Sequence, residues 1–226
     1  MADGLFPRER SEPAPGAVHV PGWLPFERQR ELVAACREFG RGPAAYEHTV
    51  LPGGGVMSVR SLCLGRRWVP YRYLGPEENL LELPDWLVEL GRAALADAYG
   101  THDGAAGADG AAGTDGGPHG GFAPDTALVN FYADGAKMGM HQDREERSPA
   151  PVVSLSLGDT CVFRLGNTED RGRPWTDLEL ASGDLLVFGG PSRLAYHGVP
   201  KVYAGSAEPA LGLAGRLNIT LRETGL

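Results

Sequence analysis

His141-Gln142-Asp143 sets an imidazole and a carboxylate two residues apart, and a second imidazole, His197, follows far downstream in Leu194-Ala195-Tyr196-His197-Gly198. In extended chain, residues two apart face the same way. His141 and Asp143 therefore aim at one point, and a strand beginning or ending near His197 closes the triangle. Two imidazoles and one carboxylate on one face of an octahedron suit Fe(II) and leave positions open for a bidentate co-substrate and for dioxygen. An isolated His-x-Asp is also a common turn or surface pair, so this spacing by itself leaves both readings open.

The last strand-like run bears on the choice. In Arg216-Leu217-Asn218-Ile219-Thr220-Leu221-Arg222 the alternation is strict: three apolar residues face one side, and Arg216, Asn218, Thr220 and Arg222 face the other. If that polar face lines an interior, two guanidinium groups are too costly to bury without anions, and a dicarboxylate meets the need. A strand with one solvated face is the other meaning of the pattern. Asn130 and Tyr132, in Leu128-Val129-Asn130-Phe131-Tyr132, repeat the spacing just upstream of His141. They offer an amide and a phenol from one face, or else are half-buried strand residues bonded to backbone.

Between residues 60 and 73, Arg60, Arg66, Arg67 and Arg72 are interleaved with Trp68, Tyr71 and Tyr73. Such a mixture offers phosphate contacts and stacking platforms for unpaired bases, as a lid over a flipped nucleotide requires. A solvated Arg-rich hairpin anchored by one tryptophan is the alternative.

These groups need a scaffold. The 226 residues, 42% hydrophobic and 22% charged, fit one globular domain and exclude a disordered or fibrous chain. Thirty-three glycines and 18 prolines favour a turn-rich β architecture with few long helices. With 21 basic and 29 acidic residues the net charge is −8, so binding to nucleic acid through overall charge is excluded and any such contact is local. Cys36, Cys63 and Cys161 are scattered and read as reduced, partly buried thiols. No apolar run spans a bilayer, and Met1 to Pro15 is charged and Pro-rich; a soluble, cytoplasmic protein without membrane contact is expected.

Helical spacing of Leu32, Val33, Cys36 and Phe39 predicts a helix from Pro25 to Gly40, and Leu87, Leu90, Ala94 and Ala98 predict a second from Pro84 to Gly100. Val50 to Tyr73 reads as short strands joined by mobile loops, and His102 to Gly121, rich in Gly and Ala, as a flexible insertion. Strands are expected at 127–132, 152–157, 161–165, 177–180, 185–188 and 216–222. The resulting fold class is α+β, mainly β: a sandwich or jelly roll over residues 122–226, a flexible N-terminus over 1–15, and helices with a β lid over 16–101.

The quoted motifs resemble those of the AlkB-type Fe(II)/2-oxoglutarate dioxygenases. The stretch from Asn130 through Lys137, then His141-Gln142-Asp143, then Val153 to Gly158, then Ser192 to Gly198, then Arg216 to Arg222 follow that family's motifs in order. The likeness is close over most of the C-terminal half. It is looser upstream through Pro52-Gly53-Gly54 and Met57-Ser58-Val59 to Trp68. It implies a double-stranded β-helix, the jelly roll, with a nucleotide-recognition lid. It makes His141, Asp143 and His197 the ligands of Fe(II). Arg216, Asn218 and Tyr132 would bind the far carboxylate of 2-oxoglutarate, Arg222 would sit near its chelating end, and Asn130 would join that pocket.

In the same family Trp68 would stack on the damaged base against His141, Tyr73 would contact phosphate, and Glu145 would stand where an aspartate faces the base's exocyclic amine. Arg171 lies in a loop on the substrate side. Phe188 stands where a tryptophan is common, and His19, His48, His102 and His119 are given no metal. The implied reaction is oxidative dealkylation of bases such as 1-methyladenine or 3-methylcytosine in DNA or RNA, single-stranded or with a flipped base. It consumes 2-oxoglutarate and O2 and releases aldehyde, succinate and CO2. Nothing in the chain demands a partner subunit, so a monomer is expected. Two alternatives stay open: the same chemistry on a protein side chain or small metabolite, and a catalytically silent β-sandwich that only binds.

Overall fold

The computed structural model describes residues 8–78, 80–100 and 121–226. The expected Gly/Ala-rich insertion, with His102 and His119, lies through residue 120 outside the described residues. From the N-terminus the chain forms β1 (Ser11–Ala14), β2 (Ala17–Val20), helix α1 (Phe26–Arg41), β3 (Glu47–Val50), β4 (Val56–Gly65), β5 (Trp68–Val69), β6 (Arg72–Tyr73) and helix α2 (Asp85–Tyr99). Eight strands follow: β7 (Thr126–Tyr132), β8 (Met138–His141), β9 (Val152–Gly158), β10 (Cys161–Gly166), β11 (Trp175–Leu180), β12 (Leu185–Phe188), β13 (His197–Val202) and β14 (Arg216–Arg222).

Both helices form where the apolar spacing requires. Leu32, Val33 and Cys36 of α1, and Leu87, Gly91, Ala94, Leu95 and Ala98 of α2, are the buried stripes, and Gly100, at φ +72°, ends α2 in a backbone state that costs glycine little. A Cβ added at Gly91 would lie 3.1 Å from a Leu221 methyl, so this glycine lets α2 settle closely on β14.

The strands make two facing sheets. The major one runs β1-β2-β12-β9-β14-β7-β4-β3 and the minor one β11-β10-β13-β8, with β5-β6 as a separate hairpin. One apolar core, including Leu95, Leu155, Leu217 and Ile219, packs the helices on the outer face of the major sheet. A second, with Tyr132, Phe163, Leu186 and Phe188, fills the space between the sheets. The strands of the major sheet thus alternate between two buried faces, and this is the jelly roll expected from the sequence.

Two features depart from expectation. The N-terminal segment is ordered from Arg8 onward: Ser11–Ala14 pairs with β2 at the edge of the major sheet. Most of the anticipated lid is not a lid. β4 runs antiparallel to β7 from Arg60↔Phe131 to Gly65↔Thr126, making it a strand of the major sheet, and only the β5-β6 hairpin stands apart.

What fixes the N-terminal segment is a carboxylate. Asp184, fully buried, accepts hydrogen bonds from both terminal nitrogens of Arg8, from His19 Nε2 (3.0 Å) and from the backbone N–H of Gly22 (2.8 Å) and Ala181 (2.9 Å). Burial pushes this carboxyl up, but His19, Arg8 and the two amides outweigh it and hold it below its ordinary 3.8. A depressed folded-state pKa contributes stability above the unfolded value that disappears as pH falls through the folded one. Asp184→Ala is therefore expected to lower unfolding free energy near pH 7 by about 2–4 kcal/mol. The difference from the parent should shrink below pH 4 in urea melts, and a deficit independent of pH would remove the ionic account.

Candidate active site

The three predicted ligands meet at the open end of the two sheets. β8 and β13 are neighbours, and their register sets His141 opposite His197, so a pair 56 positions apart in sequence shares one rung of a ladder. Gly198 permits this closeness, since a Cβ there would lie 2.7 Å from the Met138 carbonyl oxygen. Asp143 follows two residues after β8 ends. One side-chain ligand atom from each of His141, Asp143 and His197 falls within 4.8 Å of the others. His197 Nε2 is 3.5 Å, and His141 Nε2 3.7 Å, from the carboxylate oxygens of Asp143.

The donor set is prepared for a cation. His141 Nδ1–H donates to the Gly139 carbonyl and His197 Nδ1–H to the Ala195 carbonyl, both at 3.0 Å. Because a carbonyl only accepts, each ring holds a proton on Nδ1 and turns Nε2 toward the centre. Burial, followed by the neighbouring His141, pushes His197 down to about 4, so its ring is neutral at pH 7. The rings of Phe188 and Phe163, with centroids 5.0 and 5.7 Å from that of His197, supply the apolar wall. Burial alone would raise the Asp143 carboxyl, but Arg222, then His197, His141 and Arg193, hold it at about 2. Asp143 Oδ2 is buried without a hydrogen-bond partner, although Arg222 Nη2 approaches it to 2.7 Å out of alignment. Two imidazoles facing the centre through Nε2 and one ionised carboxylate with an unpartnered oxygen fit Fe(II).

Behind this centre the polar face of β14 points inward. Its register places Arg216 opposite Tyr132 and Asn218 opposite Asn130 on β7, and these four, with Thr220 and Arg222, line an inner pocket beside the two histidines. Arg216 is 1% exposed. Its guanidinium donates to Ser156 Oγ (2.9 Å) and to the Asp159 carbonyl (3.4 Å), while its Nε has no partner. No carboxylate among the described residues pairs with it, so a buried cation waits for an anion. Asn218 Nδ2 donates to Ser154 Oγ (2.8 Å) and the Leu155 carbonyl (3.0 Å), and Asn130 Oδ1 accepts from Ser61 Oγ (2.6 Å). Tyr132 is buried, and burial raises its phenol well above 10, keeping a proton available to donate.

In front of the centre an outer cleft of about 450 Å³ has Trp68 and Tyr71 on one wall, His141 and Asp143 at its base, and Glu145 and Arg171 on its rim. Tyr73 does not line this cleft: its hydroxyl turns inward and donates to Glu146 Oε1 at 2.5 Å. Of the interleaved arginines, Arg60 lies over the Phe131 ring (4.8 Å) and Arg66 Nε donates to Asp125 (2.9 Å). Arg60 is exposed and Arg66 half-buried, and neither lines the cleft. His19 serves Asp184, and His48 Nδ1 donates to the Met57 carbonyl (2.7 Å).

Sequence reasoning passed over Glu146 and Arg193. The side chain of Glu146 is 0% exposed and meets Arg222 Nη1 at 3.0 Å and Arg193 Nη2 at 3.3 Å. Arg193 also donates to the carbonyls of Asp143 (2.8 Å) and Ala150 (2.7 Å), pinning the ligand loop to the β9 approach. Glu146 sits in Arg144-Glu145-Glu146-Arg147, a charge run that reads as solvated surface, and no periodicity marks which member turns inward.

The profile of the 2OG-Fe(II) oxygenase superfamily matches residues 16–222. This chain belongs to that superfamily, in its AlkB family. An AlkB homolog of Caulobacter vibrioides, called an alpha-ketoglutarate-dependent dioxygenase, is 54% identical over 100 residues, 44% of each chain. A protein of Arabidopsis thaliana named DNA N(6)-methyladenine demethylase ALKBH1D is 32% identical over 222 residues, 92% of this chain and 49% of that one. The matches thus span less than half the length of these curated relatives. The solved structure of OsALKBH1 superposes with a TM-score of 0.78 at 30% identity, covering 94% of this chain and 100% of that one. Fe(II), 2-oxoglutarate and O2 are accordingly the cofactor and co-substrates of this AlkB-family chain.

Proposed function

We propose that this AlkB-family protein removes alkyl groups from nitrogen atoms of bases in DNA or RNA, with 1-methyladenine and 3-methylcytosine as the type substrates. The observation that carries the reading is the outer cleft, roomy enough for a nucleotide and lined by the Trp68 indole and by His141 and Asp143. His141, Asp143 and His197 hold Fe(II). Arg216, Asn218 and Tyr132 grip the far carboxylate of 2-oxoglutarate, with Arg222 near its other end and Asn130 beside it. Bound there, the iron with its co-substrate supplies oxidation of the alkyl carbon by O2, one oxygen atom entering the alkyl group and the other the succinate formed with CO2. The hydroxylated alkyl group then leaves as aldehyde and the base is restored.

The chain itself binds, orients and excludes water. Trp68 stacks on the base, which must leave any duplex to reach the cleft, so single strands or flipped nucleotides are the substrates. Glu145 presents a carboxylate to a cationic adduct, and Arg171 contacts the nucleotide from the rim. Tyr73, turned inward, supports the hairpin in place of a phosphate contact. Among the described residues no helix is long and apolar enough to cross a membrane. Cys36 and Cys161 are buried free thiols, which supports a reducing, cytoplasmic compartment.

The test is aldehyde and succinate release from the purified protein given Fe(II), 2-oxoglutarate and a panel of alkylated oligonucleotides. Release above an unalkylated control is expected, and silence across the panel moves the substrate to a protein or small molecule. Base stacking contributes about 1–3 kcal/mol, so Trp68→Ala should cost about five- to 150-fold in kcat/KM on a methylated oligonucleotide. Unchanged turnover would show that the indole does not meet the base.

A further inference from the structure

The β5-β6 hairpin is two residues per strand, too short to hold a wall in place through its own ladder. Its anchor lies elsewhere. Trp68 and Tyr73 are cross-strand partners, and the Tyr73 hydroxyl reaches Glu146 Oε1 at 2.5 Å. The same Glu146 oxygen accepts from Arg222 Nη1 at 3.0 Å, and Arg222 Nη1 also lies 3.3 Å from the Tyr73 oxygen. The other Glu146 oxygen faces Arg193 Nη2 at 3.3 Å, and Arg193 is fastened to two core carbonyls. Glu146 is therefore fixed on the core side and, at shorter range than the direct 3.3 Å contact between Arg222 and Tyr73, joins two parts of the site. One is the hairpin bearing the base-stacking indole, and the other is an arginine of the inner pocket.

We propose that Glu146 is a positioning residue that ties the Trp68–Tyr73 hairpin to Arg222, so that 2-oxoglutarate binding and hairpin order are coupled. Arg222 faces two carboxylates, with Nη2 toward Asp143 and Nη1 toward Glu146. When Asp143 turns its charge to a metal, Glu146 keeps the guanidinium in place beside the co-substrate, and Tyr73 is held by the same atom. Coupling of this kind is reciprocal: whatever fixes Arg222 steadies the hairpin, and a loosened hairpin weakens the grip of Arg222. Glu146 touches neither the reacting base nor the iron, so its contribution is geometric. The proposal rests on the reading of Arg222 as a 2-oxoglutarate contact.

Two measurements on the full chain with Fe(II) under anaerobic conditions test it, and neither uses nucleic acid. In the first, 2-oxoglutarate is titrated by its metal-to-ligand charge-transfer absorption. In the second, amide hydrogen exchange of residues 68–73 is followed with and without 2-oxoglutarate. In the parent protein 2-oxoglutarate should slow exchange in the hairpin severalfold. In Glu146→Gln and Tyr73→Phe that protection should vanish, and the 2-oxoglutarate Kd should rise about five- to tenfold, the usual net worth of a single hydrogen bond. Tyr73→Phe removes a single hydroxyl from a hairpin outside both cores, so it carries both readouts even if Glu146→Gln folds poorly. Hairpin exchange indifferent to 2-oxoglutarate in the parent, or an unaltered Kd in Tyr73→Phe, overturns the coupling. Failure to dealkylate any oligonucleotide would bear on the substrate alone, because the coupling is read without one.

Discussion

Asp143→Ala protein is expected to bind Fe(II) more than about 10²-fold more weakly than the parent and to form succinate at least about 10³-fold more slowly. Loss of a group that merely orients a metal ligand already costs about 10–100-fold, and here a ligand itself is removed. Three features of the site set this expectation. The carboxyl is held at about 2 and is fully ionised at neutral pH. One of its buried oxygens has no hydrogen-bond partner. Both imidazoles turn Nε2 toward the same centre, their Nδ1 protons being committed to backbone carbonyls. Anaerobic Fe(II) titration, with succinate assayed in parallel, checks the prediction. Turnover within tenfold of the parent would mean that the iron is held elsewhere.

Arg216→Leu separates binding from folding. The guanidinium is 1% exposed, has an unpartnered Nε and faces no carboxylate among the described residues, so in the unloaded protein it is a buried charge without its counterion. Replacing such a group with an apolar side chain of similar volume is often neutral or stabilising. Removing it from a formed ion pair costs about 3–5 kcal/mol, equivalent to about 10²–10³-fold in affinity. The expected result is a KM for 2-oxoglutarate raised by that factor together with a Tm equal to or above that of the parent. The opposite pattern, a lower Tm with co-substrate affinity intact, would make Arg216 a structural residue satisfied by Ser156 and Asp159.

Much of this site was legible because its chemistry obeys short periodicities. His141 and Asp143 are two residues apart, as are Asn130 and Tyr132, and the alternation from Arg216 to Arg222 states which side chains share a face. Both helices announce themselves through four well-spaced apolar residues and a terminal glycine. What could not be read is pairing. Met138 to His141 is four residues with a glycine inside, too short for a strand signal, and the rung joining His141 to His197 exists only once β13 lies beside β8. The strand at Ser11–Ala14 was hidden because its order comes from Asp184, far along the chain. Val56–Gly65 looked like part of a lid because Gly53, Gly54, Gly55 and Gly65 around it suggested loops, whereas β7 pairs with its second half, residues 60 to 65. Glu146 was invisible for a simpler reason: four consecutive charges look alike until a tyrosine and two arginines select one.

β8 is the outermost strand of the minor sheet, and among the described residues β13 is the one strand paired with it. Two of the three proposed metal ligands belong to it or follow directly from it, and the third stands on the strand next door, so an iron atom held there would act as a rivet across the seam between β8 and β13. Stripping the metal with a chelator removes the rivet and leaves a short bare edge free to fray or to recruit the same edge of another molecule. Storage of the demetallated protein, rather than its heating, is then where clumping would first show.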